Sequence, residues 1–221
     1  MKEIKAVIFD LDGTLLDTSE GIYEGILFAI KKLGLTLPSS EHLKTFIGPP
    51  IQNSFKSYYG LTEEKSLEAA GVFREYYKNE SLLKAHAYDG IYDCLQDLVS
   101  SGYKIGVATY KREDYALKIL NHFNFGTYCK SMHGSDFEGK LSKSDIIQKT
   151  LDELGLDATN SVYVGDTKGD YEAAKKVGTK FLGVLYGFGF SELNQLGENE
   201  NVISFVQEPL EIIESLQGLK K

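Results

Sequence analysis

"VIFDLDGTLLDT", Val7 to Thr18, runs from an apolar segment straight into three carboxylates, Asp10, Asp12 and Asp17, set around a Gly-Thr pair. A short run of β-branched and aromatic residues closed by charge reads as a buried strand that ends where its side chains begin to do something else. Similar runs follow along the chain: "KIGVAT", "SVYVG", "KFLGVLYG" and "VISF", each bounded by Gly, Asp or Thr. They read as strands buried on both faces. Between them lie amphipathic stretches. "DGIYDCLQDLVSSG" stops at Gly102, and "SKSDIIQKTLDELG" opens at an N-cap, Ser142, and stops at Gly155. Strand and helix alternate, which predicts an α/β fold with a parallel sheet covered by helices.

One region breaks the alternation. From Thr18 to Leu83 the pattern is helical throughout: Ile22, Ile26, Ala29, Ile30 and Leu33 share one face, and Gly34 stops that run. "SSEHLKTFIG", "PPIQNSFKSYYG" and "TEEKSLEAAGVFREYYKNE" are three further helix candidates, separated by Gly48-Pro49-Pro50 and Gly60-Leu61. About sixty-five residues suffice for a small bundle, so the expectation is a core of residues 1–17 and 84–221 carrying an all-α insertion at 18–83.

The composition narrows the classes of function. A chain of 221 residues buries a real core. A formal net charge of −8, with no basic run interleaved with aromatics, excludes a wrapped nucleic-acid polymer as partner. The apolar run near the N-terminus is too short for a signal-peptide core, and no later segment approaches membrane-spanning length. The two cysteines, Cys94 and Cys129, lie far from any C-x-x-C spacing and read as free packing thiols in a reducing compartment, which points to the cytoplasm. No feature of the sequence decides an oligomeric state, and a monomer is compatible with it.

In an open parallel sheet, ligands bind outside the carboxyl ends of the strands, and Asp10 and Asp12 sit at such an end. Gly13 permits a sharp turn there that frees nearby N–H groups. Two neighbouring carboxylates repel each other and resist desolvation, so a site that keeps both needs a cation or a proton. A lone Asp-Gly pair would read as a turn. A second acidic pair, Asp166 and Asp170 in "VYVGDTKGDYEAAKKVG", follows another strand, where Asp166 reads as a turn residue and Asp170 as the N-cap of a helix ending at Gly178. Should the two strands be neighbours, the carboxylates converge into a hard, oxygen-only site suited to Mg²⁺. His42, His86, His122 and His133 show no zinc-ligand spacing. Thr109 closes "KIGVAT" with a hydroxyl and following N–H groups able to hold an anion. Lys143 opens a helix, where the dipole disfavours a cation, so a specific anionic partner is expected.

These four elements in this order, "DLDGT" at Asp10 to Thr14, Thr109, Lys143 and "GDTKGD" at Gly165 to Asp170, resemble the four motifs of the haloacid dehalogenase superfamily of phosphohydrolases. The resemblance spans the core from end to end and implies a Rossmann-like core with a helical cap after the first strand. It implies Asp10 as the nucleophile that forms an aspartyl-phosphate and Asp12 as general acid and then base. It further implies Mg²⁺ held by Asp10, the backbone carbonyl of Asp12 and Asp166, with Asp170 positioning its waters or Lys143. Thr109 and Lys143 would stabilise the transferring phosphoryl group, with Gly13, Thr14 and Tyr110 beside the phosphate.

Dehalogenase members lack a carboxylate at the position of Asp12, so its presence implies phosphoryl transfer to or from a small phosphorylated metabolite. "FIGPPIQNSF", Phe46 to Phe55, and "YGFG", Tyr186 to Gly189, resemble the phosphoglycolate phosphatase and bacterial nucleotidase-like branch. A phosphomutase of the β-phosphoglucomutase type is the alternative, although its usual Arg-containing cap motif is absent. A receiver-like signalling phosphoacceptor is a third reading, opposed by an acceptor Asp on the first strand with a second carboxylate beside it. Tyr110 departs from the Ser or Asn common in relatives and leaves only its N–H for phosphate. Lys111 reads either as a phosphate contact or as a solvated lysine.

Overall fold

The computed structural model of the protein describes residues 3–192, 196 and 200–219. The chain divides into two compact units, Met1–Asp17 with Ala87–Lys221, and Thr18–His86. In chain order the elements are β1 (Ala6–Phe9), β2 (Leu16–Asp17), α1 (Ser19–Lys32), α2 (Ser40–Lys44), α3 (Ile51–Tyr59), α4 (Glu63–Tyr76), β3 (His86–Ala87) and α5 (Ile91–Ser100). They continue with β4 (Lys104–Arg112), α6 (Glu113–His122), β5 (Cys129–Ser135), α7 (Lys143–Leu154), β6 (Ser161–Gly165), α8 (Lys168–Val177), β7 (Lys180–Val184), β8 (Val202–Val206) and α9 (Glu211–Gly218).

In the first unit, six strands among the described residues form one sheet in the order β5–β4–β1–β6–β7–β8, every neighbouring pair parallel. This is the doubly wound Rossmann order, built outward from β1 to one edge and then from β6 to the other. The switch point lies between β1 and β6. The central strands are apolar on both faces because helices cover both: Ala6, Val7, Ile8 and Phe9 are all fully buried, as are Val162, Tyr163 and Val164. Ile146, Ile147 and Leu151 of α7 pack with Ile8, Ala108 and Tyr163 in one core cluster.

The strand pattern had one gap in the six-stranded sheet, and the two-residue strands β2 and β3 were not foreseen either. "CKSMHGS" forms β5, an edge strand whose alternating exposure lets Lys130 face solvent, and its low content of strand-forming residues hid it. At the other edge β8 is only half-buried, so burial on both faces holds for the inner strands and not for this one. β4 also runs past Thr109 to Arg112, with its register against β5 broken between Ala108 and Arg112. "KFLGVLYG" is strand only as far as Val184.

The second unit is helical. Ile22, Ile26, Ala29 and Ile30 are the buried face of α1. Gly21 and Gly25 lie on that same side, where any larger side chain would meet the Ser81 carbonyl and the Phe73 ring. Ser81 Oγ donates to the Gly21 carbonyl at 2.7 Å, tying the π-helical turn Tyr77–Ser81 to α1. Aromatic pairs finish the packing: Phe28 stacks on Tyr76 at 4.2 Å, and Phe73 lies parallel to Tyr77. Among the described residues no helix is long and apolar enough to cross a membrane.

Candidate active site

Register assembles the site. Phe9 pairs with Val107 on one side and Val164 on the other, so Asp10 leaves β1 between Thr109 of β4 and Asp166 just after β6. The Asp10 N–H donates to the Val164 carbonyl at 2.9 Å, extending the ladder by one step before the chain turns. The turn is closed on Leu11, whose carbonyl accepts from Leu15 and Leu16 at 3.0 and 3.1 Å, while Gly13 N–H donates to the Leu16 carbonyl at 2.9 Å. Gly13 has φ of +79°, a conformation that favours glycine, and a side chain there would run into the Asp166 carboxylate.

Asp10, Asp166 and Asp170 converge: each offers an oxygen, and these oxygens lie within 4.8 Å of one another. Asp10 is 6% exposed and the other two are fully buried. Asp170 is not the N-cap that its sequence position had indicated. Thr167 is the N-cap of α8, and Asp170 is the third residue of a capping box, accepting from the Thr167 N–H at 2.9 Å and hydroxyl at 2.6 Å. That leaves its other oxygen for Lys143.

Ser142 caps α7 through a second capping box, with Asp145 as partner. Lys143 is the first residue of α7. Its ammonium lies 2.9 Å from Asp10 Oδ2 and is also paired with Asp170, above the Tyr163 ring at 5.7 Å. The anionic partner demanded by its unfavourable place in the helix dipole is therefore this acidic pair. Burial opposes its charge, but Asp10 and Asp170 outweigh that and raise its pKa.

Asp12 does not join the cluster. Its carboxylate meets Lys111, whose Nζ lies 2.8 and 2.9 Å from the two oxygens. The Lys111 side chain is only 7% exposed, so it is no solvated lysine. No sequence signal separated these two readings, because the direction of its side chain depends on the break in β4 register. Thr109 is buried, and its hydroxyl accepts from the Lys111 N–H at 3.2 Å. Thr14 is fully buried with a hydroxyl that has no hydrogen-bond partner, whereas the Tyr110 residue is 37% exposed.

Two buried oxygens, Asp10 Oδ1 and Asp166 Oδ1, also have no hydrogen-bond partner. Leaving such atoms unpaired is costly, and an all-oxygen set with unused lone pairs suits a hard divalent cation. Burial, opposed by Lys143, pushes the Asp10 carboxyl up to about 6. Burial again, with the Asp170 and Asp10 charges adding to it, pushes Asp166 up to about 8.

Both values lie above 3.8, so the metal-free fold keeps protons that the unfolded chain has released. Stability from these groups is complete below the unfolded value and is lost as pH rises through the folded ones. The midpoint of thermal unfolding in EDTA should therefore fall between about pH 5 and pH 8, and Mg²⁺ should abolish that fall. A midpoint in EDTA that rose over this interval would contradict the assigned burial of the two carboxylates.

Residues 7–184 match the family described as haloacid dehalogenase-like hydrolase. A 5'-nucleotidase of Pseudomonas aeruginosa is 38% identical over 184 residues, covering 83% of each chain. A phosphoglycolate phosphatase of Aquifex aeolicus is 31% identical over 84% of this chain and 86% of its own. Among solved structures, a haloacid dehalogenase-like family hydrolase from Streptococcus pneumoniae superposes with a TM-score of 0.84 at 29% identity, over 97% of this chain and 99% of its own. The chain belongs to the haloacid dehalogenase-like hydrolase family. Its named relatives there include phosphatases, and the solved hydrolase from Streptococcus pneumoniae shares its fold.

Proposed function

We propose that this protein is a Mg²⁺-dependent phosphatase that hydrolyses a small phosphomonoester through an aspartyl-phosphate on Asp10, with the inserted helical unit as its cap. The observation that carries this reading is a charge imbalance. Three buried carboxylates, Asp10, Asp166 and Asp170, face one ammonium, Lys143; ionised together they exceed it by two negative charges beside two unpaired carboxylate oxygens, and without a cation burial pushes Asp10 and Asp166 to hold protons instead. A divalent cation balances that excess. Asp10, Asp166 and the backbone carbonyl of Asp12 would hold it, with Asp170 fixing Lys143. Bound there, the cation would neutralise charge that develops on the transferring phosphoryl group.

The chain's own residues do the rest. The Asp10 carboxylate, ionised without the help of a base, attacks phosphorus as the bond to the leaving alkoxide breaks. Asp12 gives that alkoxide a proton, then takes one from the water that cleaves the acyl phosphate. Lys111, held against both oxygens of Asp12, fixes the direction of that carboxylate. Thr109, Lys143 and the Tyr110 N–H stabilise the oxygens of the phosphoryl group in flight, whereas the Gly13 and Thr14 N–H groups, expected to face the phosphate, are spent on the Leu16 and Leu11 carbonyls.

The names of the relatives support glycolate or a nucleoside as the leaving group. The buried, free thiols of Cys94 and Cys129 accord with work in a reducing cytoplasm. In the helical unit, Gln52 and Lys56 both bond to Glu63, at 2.5 and 2.6 Å, on the exposed side of α3 and α4.

The test is inorganic phosphate release with and without Mg²⁺ from phosphoglycolate, nucleoside monophosphates, sugar phosphates and an aryl phosphate. Mg²⁺-dependent release concentrated in one class is expected. A sugar phosphate isomerised with little phosphate released would make the protein a mutase. A phosphoenzyme stable for minutes would make it a phosphoacceptor.

A further inference from the structure

The segment Tyr186–Phe190, after β7, closes around Asp166, and no step of the reaction above uses it. Phe188 N–H donates to Asp166 Oδ2 at 2.7 Å, and Phe190 N–H donates to the Asp166 backbone carbonyl at the same distance. The Tyr186 hydroxyl donates to the Thr14 carbonyl at 3.1 Å, binding the segment to the turn after β1. The fit leaves no room for side chains. A methyl group on Gly187 would overlap the Gly13 carbonyl and the Asp166 carboxylate, and one on Gly189 would overlap the Asp166 carbonyl and Thr167. Both obstacles include main-chain atoms rather than flexible side-chain ends. One oxygen of Asp166 is thereby engaged while the other, Oδ1, is buried and has no hydrogen-bond partner.

We infer that Tyr186–Phe190 is a collar that fixes the Asp166 carboxylate in its metal-binding orientation before any metal arrives, with the Phe188 N–H as the positioning group. This rests on the Mg²⁺ site proposed above. The N–H takes one oxygen, which opposes rotation of the carboxylate and leaves Oδ1 for the cation. Outer partners of this kind typically set metal affinity by about 10–100-fold.

Mg²⁺ titration by calorimetry on the full chain is the test, using Phe188→Pro, which deletes the N–H, and Phe188→Ala, which keeps it. Phe188→Pro should bind Mg²⁺ about 10–100-fold more weakly than the parent, and Phe188→Ala within about threefold of it. Equal affinity in the two folded variants would overturn the collar. Should Phe188→Pro not fold, amide exchange on the unaltered protein in EDTA decides: a protected Phe188 N–H is expected, and exchange at the unprotected rate overturns the inference. A parent that takes up no Mg²⁺ overturns the phosphatase reading itself, a result distinct from a parent that binds and variants that bind equally.

Discussion

Asp10→Asn is expected to lower Mg²⁺-dependent phosphate release by on the order of 10⁴-fold or more, since a carboxamide at this position cannot form the acyl phosphate. Asp10 is the residue on which every part of the site converges. β1 carries it to the switch point, Val164 fixes its N–H, Lys143 holds Oδ2, and Oδ1 is left without a partner beside the acidic cluster. Asparagine preserves shape and burial while removing the nucleophile, so the loss should not come from unfolding. Burial holds the Asp10 carboxyl near 6, so it destabilises the metal-free fold at higher pH. Asp10→Asn in EDTA at pH 8 should accordingly unfold no earlier than the parent. An active Asp10→Asn enzyme would remove Asp10 from the chemistry, and an inactive one that unfolds early would leave the charge argument at fault.

Asp12→Asn carries the second large effect, and its signature is the leaving group. A general acid and base contributes about 10²–10⁴-fold, most of it where the leaving group is a poor one. An alkyl phosphate needs a proton at its departing oxygen; an aryl phosphate with an electron-poor ring departs as a stable phenolate. In single-turnover measurements of aspartyl-phosphate formation, Asp12→Asn should cost alkyl substrates at least about tenfold more than such an aryl phosphate. An equal loss on both would assign Asp12 to shape or charge rather than to proton transfer. The contact with Lys111 makes this comparison informative, because the substituted amide would still face the ammonium that now sits 2.8 Å from the carboxylate.

The parts of this site that were legible in the sequence were those set by local rules. Strand ends marked by Asp10 and Asp166, the caps at Ser142 and Gly155, and the awkward charge at Lys143 each follow from neighbours within a few residues. Thr167 against Asp170 was closer to the limit, because a capping box places two competent oxygens three residues apart and either satisfies the pattern. β5 was missed because an edge strand with one wetted side does not need the apolar run that identifies β1 or β6. Lys111 was undecidable for a different reason. Whether it reaches Asp12, ninety-nine positions away, depends on where the register of β4 breaks, a property of two paired strands and not of either alone. The collar at Tyr186–Phe190 contains a motif that stood out, yet its glycines make sense only beside Asp166 and the turn at Gly13.

The stereochemical course at phosphorus is the most direct test of the central claim. A substrate chiral at phosphorus through oxygen isotopes and sulfur, hydrolysed in labelled water, separates two in-line displacements from one. Transfer to Asp10 followed by attack of water predicts net retention of configuration. Inversion would mean that water attacks the substrate directly, and that the carboxylate at the end of β1 is not the nucleophile.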